Sequence, residues 1–440
     1  MDFDLPSAVR QAMERLRQAG FAAYVVGGCV RDWVLGIPPH DYDICTAARP
    51  EEMKRVFQGE RTVETGLRHG TLTVLLGGMP LEITTFRQDG EYIDGRHPAT
   101  VRFTARVEED LARRDFTINA MAYAPGEGLV DPFGGEEDCR RGVIRCVGCP
   151  ESRFSEDALR ILRALRFSAR LAFPLEKQTA RAVRAQRASL EKISRERVAA
   201  ELTGLLVGRH AAPVLRSFPE VLFSVLPPLA PLEACPQESA CHAFPVWEHT
   251  LRTVDFAPRE AILRWAALLH DCEKPACRCR DAKGRDHFPG HPEKGAETAR
   301  RLLGDLKMPV RFTRAIAELT LWHDVRFGVG EVQEMLVRLG PERLSQLLLL
   351  RRADQLAHAP QIARKAEEEY RRLENERKRL LRENACFSLA QLAVKGEDMA
   401  ALGLRGPQIG ATLERLLLAV ARQEAPNDRE ALLRFAQARR

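Results

Sequence analysis

Asp41 and Asp43 flank Tyr42 in a run that continues Ile44-Cys45. On a strand, residues two apart share a face, so the two carboxylates are predicted to project together. Like charges that close need a cation between them, and hard oxygen donors suit Mg²⁺, which takes one or two protein carboxylates plus substrate phosphates. Upstream, Val25-Val26-Gly27-Gly28-Cys29-Val30-Arg31-Asp32 reads as an apolar strand, two glycines and a helix start. Backbone N–H groups at such a turn can approach a phosphate closely, and Arg31 adds a cation. A lone Gly-Gly is weak evidence, and acid-x-acid is commonplace at solvated strand edges. Together they supply what metal-dependent phosphoryl transfer requires, a clamp for a triphosphate and a metal template for in-line attack.

A second constellation follows. Glu156 to Phe167 has helical spacing that sets Asp157, Arg160, Arg163 and Arg166 near one face, with Leu159, Ile161, Leu162 and Leu165 packing elsewhere. A solvated face would interleave glutamates with the arginines, so this stripe predicts an external anion. Asp157 beside Arg160 offers an acceptor next to donors, which complements cytosine and adenine and opposes uracil and guanine.

Farther on, His270-Asp271 ends the apolar run through Leu269. His249 precedes it, and His291, His323 and Asp354 follow. A lone histidine on such a helix is usually structural. Several imidazoles and carboxylates on otherwise apolar helices form a ligand set for a divalent transition metal. Cys277 and Cys279 lie nearby, but a Cys-x-Cys without a second pair gives little support for zinc.

Gly27-Gly28-Cys29-Val30-Arg31-Asp32, Asp41-Tyr42-Asp43-Ile44 and Arg113-Arg114-Asp115-Phe116-Thr117-Ile118-Asn119-Ala120 occur in that order. This resembles the class II tRNA nucleotidyltransferases, the CCA-adding enzymes and their poly(A) polymerase relatives, and the likeness runs to about Arg197. The resemblance implies that Asp41 and Asp43 hold a catalytic metal pair, that Gly28 and Arg31 hold the triphosphate, and that Asp115, with Arg114 beside it, contacts the ribose. Glu156-Asp157-x-x-Arg160 is similar to the family's base-recognition motif, which makes Arg163 and Arg166 nucleotide contacts as well. Ile193-Ser194-Arg195-Glu196-Arg197 resembles the motif that braces that helix. The implied partners are tRNA, CTP and ATP. The polar stretch from Thr85 to Pro98 resembles the loop that helps the family's pocket switch from CTP to ATP. The segment Gly66 to Thr71 lacks the basic character of the poly(A) branch. The histidine set His249, His270-Asp271, His291, His323 and Asp354 is similar to HD-type phosphohydrolases. A poly(A) polymerase, an A-adding enzyme and an HD phosphohydrolase with a tRNA-binding first domain remain alternatives at this point.

These residues must be positioned by a chain of 440 residues, longer than one core usually organises. Up to about Gly135, alternating or apolar segments (Ala22 to Val26, Tyr42 to Cys45, Leu72 to Leu76, Leu81 to Phe86, Val101 to Val107) predict a small mixed sheet. Taken alone, Arg113 to Asn119 also reads as a cap, Asp115 closing the start of a helix through Ala120 to Ala122. Beyond Glu156 nearly every periodic segment is helical. The expected fold is α+β: a nucleotidyltransferase head over 1–135, then an all-α neck over 136–208, a body over 209–238, an HD domain over 239–360 and a tail over 361–440. Glu367 pairs in spacing with Arg371, and Glu374 with Lys378, along a charged helix. With 45% hydrophobic and 29% charged residues the chain is ordinary globular protein rather than disordered or fibrous. A net charge of +6 permits a polyanionic partner without demanding one. Met1 to Gly20 is amphipathic rather than a signal peptide, no apolar run reaches membrane-spanning length, and eleven scattered cysteines predict reduced thiols, so a cytoplasmic protein is expected.

Overall fold

The computed structural model describes residues 3–67, 70–90, 100–239 and 241–438, which divide into two compact units, Met1–Pro227 and Pro228–Arg440. Most of the loop singled out between Thr85 and Pro98, and Arg68 and His69 of the Gly66–Thr71 segment, lie outside the described residues.

The first unit opens with α1 (Ser7–Gln18), whose Ala8, Val9, Ala12, Met13 and Leu16 form one buried stripe. It packs on β1 (Ala23–Val26), every residue of which is buried. Seven strands follow the order β3-β4-β5-β2-β1-β8-β9, with β2 (Asp43–Thr46), β3 (Arg61–Val63), β4 (Thr71–Leu76), β5 (Met79–Thr85), β8 (Ala122–Ala124) and β9 (Gly128–Val130) joining β1. Within it β2 and β5 run parallel and the other pairs antiparallel. β6 (Arg87–Asp89) and β7 (Val101–Phe103) form a separate hairpin, after which α4 (Val107–Ala112) takes over where a strand through Val107 was expected. Helices α2 (Gly28–Val34), α3 (Pro50–Val56) and α5 (Gly135–Arg141) complete the head.

The expected helix through Ala120 to Ala122 is absent. A 3₁₀ turn, Thr117–Asn119, leads straight into β8, because Ala122 is needed opposite Val26 in the sheet. The expected continuous helix from Glu156 is also interrupted. α6 (Pro150–Glu156) ends, Asp157 is extended at φ −144° and ψ 104°, and α7 (Leu159–Leu171) begins. Helices α8 (Lys177–Ala185), α9 (Arg195–Leu206), α10 (Ala211–Ser217) and α11 (Pro219–Val225) complete the helical part of this unit. Gly204 lets α9 pass close to α7, since a Cβ there would sit 2.5 Å from Cδ of Arg166.

The second unit is helical apart from a two-residue hairpin, β10 (Cys279–Arg280) with β11 (Asp286–His287). α12 (Val246–Phe256), α13 (Ala261–Leu269), α14 (Lys274–Cys277), α15 (His291–Asp305), α16 (Val310–Trp322) and α17 (Val332–Ala357) enclose one core. α17 is kinked at Gly340, whose φ of 74° and ψ of 168° are followed by Pro341. α18 (Pro360–Arg382) carries the expected Glu367–Arg371 and Glu374–Lys378 ion pairs. α19 (Gly396–Ala401), α20 (Pro407–Ala421) and α21 (Arg429–Ala438) gather a smaller core around Met399, Leu416 and Leu432. No helix is long and apolar enough to cross a membrane among the described residues, and all eleven cysteines are free thiols.

Candidate active site and cation centre

The head site forms where β1 stops. Val26 pairs with Asp43, the last register position of the β1–β2 ladder, and the chain then turns at Gly27 (φ 80°). Tyr42 and Asp41 therefore have no strand partner on that side, and β2 begins at Asp43 rather than at Tyr42. Both aspartates are exposed and line one cleft with Gly28. A Cβ on Gly27 would stand 2.9 Å from Nη1 of Arg114, so a side chain there would collide with the arginine that faces the carboxylates. On the other side, β5 places Glu82 directly beside Asp43 in parallel register, also exposed. The cleft walls partly desolvate the Asp43 carboxyl and raise its pKa; Arg114 opposes that shift, while Glu82 and Asp41 add to it. Carboxylates that crowd one another at a solvent-reachable strand end fit divalent cations.

The opposite wall is a chain of alternating charges. Arg31, only 2% exposed, gives its guanidinium to Asp32 at 2.6 Å and to Oδ1 of Asn119 at 2.7 Å, so it braces the glycine turn as well as lining the cleft. Asn119 donates to Oδ1 of Asp115 at 3.3 Å, and Oδ2 of Asp115 meets Nε and Nη2 of Arg163, both at 2.7 Å. Burial alone would raise the Asp115 pKa, but Arg163 and Arg160 overcome it and hold the carboxyl low. Arg166 bonds Glu201 of α9 at 2.6 Å, and Arg160 bonds Glu156 at 2.6 Å. Asp157 does two jobs at the helix break: Oδ1 accepts the Leu159 N–H at 3.0 Å, and Oδ2 accepts from Arg197 at 2.8 Å. Arg113 and Arg114 are anchored on Asp110, which is fully buried.

The cleft, of about 600 Å³, brings Gly28, Arg31, Asp41, Asp43, Arg114, Asp115, Asp157, Arg160, Arg163 and Arg166 together. Its lining holds eight arginines against five aspartates. The stripe on α7 is less bare than its local sequence indicates, since Asp115, Glu156 and Glu201 reach it from other elements. Sequence reasoning missed Glu82, Asn119, Arg170 and Glu201 as members or supports of the site, whereas Arg197, in the motif expected to brace the helix, does so through Asp157. Two carried a readable signal: Glu82 is the acid in the alternating Leu81-Glu82-Ile83, and Arg170 extends the stripe by one helical turn.

In the second unit, His249 on α12, His270-Asp271 after α13, His291 at the start of α15, His323 after α16 and Asp354 on α17 converge. Nδ1 of His270, His291 and His323 faces the carbonyl oxygens of Ala267, Phe288 and Thr320 at 2.9, 2.7 and 2.7 Å. Donation there fixes the tautomer that turns each Nε2 lone pair toward the centre. Asp271 is 1% exposed; Nζ of Lys274 pairs with its Oδ2 at 2.7 Å, and Oδ1 receives no directed hydrogen bond. Burial alone would lower the His270 pKa, but Asp271 and Asp354 push it up to about 10, so the carboxylates draw positive charge inward. Burial and Lys274 push His242, at the edge of the cluster, down to about 3. This donor set fits divalent transition metals.

Residues 23–145 match the poly A polymerase head domain, 172–221 the probable RNA- and SrmB-binding site of polymerase A, and 246–359 the HD domain. With the sheet and its cleft, they define a nucleotidyltransferase head joined to a helical HD-containing unit. Relatives are named CCA-adding enzyme. That of Lactiplantibacillus plantarum is 34% identical over 98% of this chain and 95% of its own, and that of Streptococcus thermophilus 33% identical over 99% and 98%. The one from Ligilactobacillus salivarius is 46% identical, but the alignment spans only about half of either protein, 49% of this chain and 54% of the relative. The crystal structure of the Bacillus stearothermophilus CCA-adding enzyme in complex with CTP superposes with a TM-score of 0.78 at 30% identity, covering 99% of this chain and 98% of that one. The chain belongs to the CCA-adding enzyme family.

Proposed function

We propose that this chain adds C, C and A, from CTP and ATP, to the 3′ end of tRNA without a nucleic-acid template. The observation that carries the reading is the single cleft in which Asp41 and Asp43 face Arg114, Asp115 and the α7 arginines. Asp41 and Asp43, with Glu82 beside them, hold the divalent cations, in our reading Mg²⁺. Bound there, such ions would favour the ionised 3′-hydroxyl and offset charge on the phosphates as that oxygen bonds the α-phosphorus in line and the bond to the β-phosphate breaks, releasing pyrophosphate. Gly28, Arg31 and Arg114 line the triphosphate side, and Asp115 and Asn119 the ribose side. Asp157 and Arg160 read the base edge: an aspartate pinned by Arg197 and the α7 N-terminus accepts from an exocyclic amine, which cytosine and adenine carry. The work of the fold is to fix these donors before the substrate arrives. Supplying each nucleotide singly to an Asp157→Asn, Arg160→Leu variant tests the base assignment. Incorporation of UTP or GTP should appear; discrimination equal to that of the parent would refute it.

The tail over 361–440 is read as a tRNA contact, and a cytoplasmic site of action accords with a tRNA substrate. A second reading concerns the HD centre, where His249, His270, Asp271, His291, His323 and Asp354 hold a divalent transition metal. When bound, it supplies an activated water for phosphoester hydrolysis. The buried carboxylate of Asp271, whose Oδ1 receives no directed hydrogen bond and faces Nε2 of His291 and of His323 at 3.4 and 3.5 Å, supports that reading. Release of phosphate from phosphomonoesters, lost in Asp271→Asn and retained in Asp43→Asn, is the expected result; equal loss in both variants would assign it to the head.

A further inference from the structure

Phe167, on α7 and 5% exposed, carries the only phenyl ring among the described residues that line the head cleft. Three guanidinium groups gather round that ring. Cζ of Arg166 lies 4.6 Å from the ring centroid, and Cζ of Arg31 and of Arg163 each lie 5.4 Å from it. All three are within the roughly 6 Å at which a cation is drawn to the negative face of an aromatic ring. Arg163 stands one helical turn before Phe167 and Arg166 directly beside it, whereas Arg31 comes from α2. Phe116, which is wholly buried, meets Phe167 edge to face, with centroids 5.8 Å apart and planes at 79°, and so holds the ring in place.

Each guanidinium is also held by a carboxylate: Arg31 by Asp32 at 2.6 Å, Arg163 by Asp115 at 2.7 Å and Arg166 by Glu201 at 2.6 Å. These acids offset the three positive charges, but every one of those bonds is made through a single oxygen. None is the two-oxygen fork that fixes a guanidinium plane by itself. The ring supplies what a single oxygen lacks, a surface for the flat side of the cation. Arg166 spends only Nε on Glu201, so among the described residues its two terminal nitrogens keep their N–H groups for an anion.

We propose that Phe167 is a positioning residue for nucleoside triphosphate binding: the face of its ring orients Arg31, Arg163 and Arg166, and the arginine wall then presents its remaining N–H groups to the phosphates. The proposal rests on reading the cleft as a nucleoside triphosphate site. What the role requires is the electron density of the ring and not its bulk alone. A leucine would fill much of the same space and offer the cations nothing.

The test replaces Phe167 in the full-length chain with the mono-, di- and trifluoro analogues of phenylalanine, which withdraw charge from the ring face and change its shape little. KM for CTP, on a tRNA lacking its 3′ end, and KM for ATP, on a tRNA ending in two cytidines, should rise with each added fluorine and reach about tenfold with three, a size in keeping with several weakened cation–π contacts. The kcat values should stay within about threefold, with KM for tRNA and the melting profile unchanged. A packing role alone predicts no such trend, since every member of the series buries the same ring. Phe167→Leu, if folded by circular dichroism, should raise both nucleotide KM values at least as far as the trifluoro analogue; if it does not fold, the fluorinated series decides. Nucleotide KM values within about twofold of the parent across the series, a rise unrelated to fluorine number, or an equal rise in KM for tRNA would overturn the proposal. Absence of any incorporation by the folded, unaltered chain would overturn the reading of the cleft itself, and the role of Phe167 with it.

Discussion

Replacing Arg163 with methionine isolates the ion pair that joins the neck helix to the head. Oδ1 of Asp115 would keep the Phe116 N–H at 2.8 Å and Asn119 at 3.3 Å, but Oδ2 would lose both bonds it receives from Arg163. Stripping one partner from a fully buried pair costs about 3–5 kcal/mol. Asp115 is 7% exposed but the Arg163 side chain is 34% exposed, so water recovers part of the loss and about 2 kcal/mol is the expected cost. Two-state unfolding is a poor readout for a chain of several domains, whereas hydrogen exchange reports local opening. Backbone amides of residues 115–120 should exchange roughly thirtyfold faster in Arg163→Met, the factor that about 2 kcal/mol implies. Asp115→Asn removes the charge that needs the arginine, so the double variant should cost about 1 kcal/mol less than the sum of the singles. Exchange within about twofold of the parent in Arg163→Met, or strict additivity in the double variant, would refute the reasoning.

Asp43→Asn should lower nucleotide incorporation by at least about a thousandfold with an unchanged melting profile, because it withdraws a proposed cation ligand from a strand end that is not part of the core; near-parental turnover would contradict it. Glu82→Gln, beside Asp43 in register, should lower incorporation by about tenfold or more and shift the Mg²⁺ dependence to higher concentration, whereas an unchanged Mg²⁺ titration would leave Glu82 outside the cation site. Glu201→Gln should raise the apparent KM for both CTP and ATP by releasing Arg166 from its 2.6 Å partner, and steady-state kinetics that move only one nucleotide would argue against a shared arginine wall. Glu334 receives Arg422 and Arg338, which hold its pKa at about 2. A carboxyl depressed in the folded state stabilises fully above its unfolded value, near 4.5, and loses that contribution as pH falls toward 2. Proteolysis within 396–438 should therefore accelerate between about pH 4.5 and 2 in the parent, and much less in Glu334→Gln.

Short-range patterns exposed the chemistry, and long-range pairing decided how it is mounted. Asp41 and Asp43 were legible because alternation predicts a shared face, yet the strand begins only at Asp43: the glycine turn after Val26 was readable, but the register that pairs Val26 with Asp43 and ends the ladder there was not. The arginines of α7 were legible from helical spacing. Their partners were not: Asp115 is 48 residues from Arg163 and Glu201 is 35 from Arg166. The apparent lack of compensation along the helix was thus a lack of local compensation only. The break at Asp157 escaped notice because hydrophobic periodicity runs through it, although an aspartate two residues before an apolar run is a common cap. Ala120 to Ala122 reads as helix by propensity, yet β8 opens at Ala122 because β1 needs a neighbour, a tertiary override of a weak local preference. The HD histidines were legible as a set, but the sorting of their Nε2 atoms around the two oxygens of Asp271 exists only in three dimensions.

The most direct test of the central claim is extension of a tRNA lacking its 3′ end, with Mg²⁺ and all four nucleotides, resolved at single-nucleotide length. The account predicts two cytidines, one adenosine and a stop, with no product from Asp43→Asn. A long adenosine tail, adenosine added without preceding cytidines, or no extension at all would contradict it.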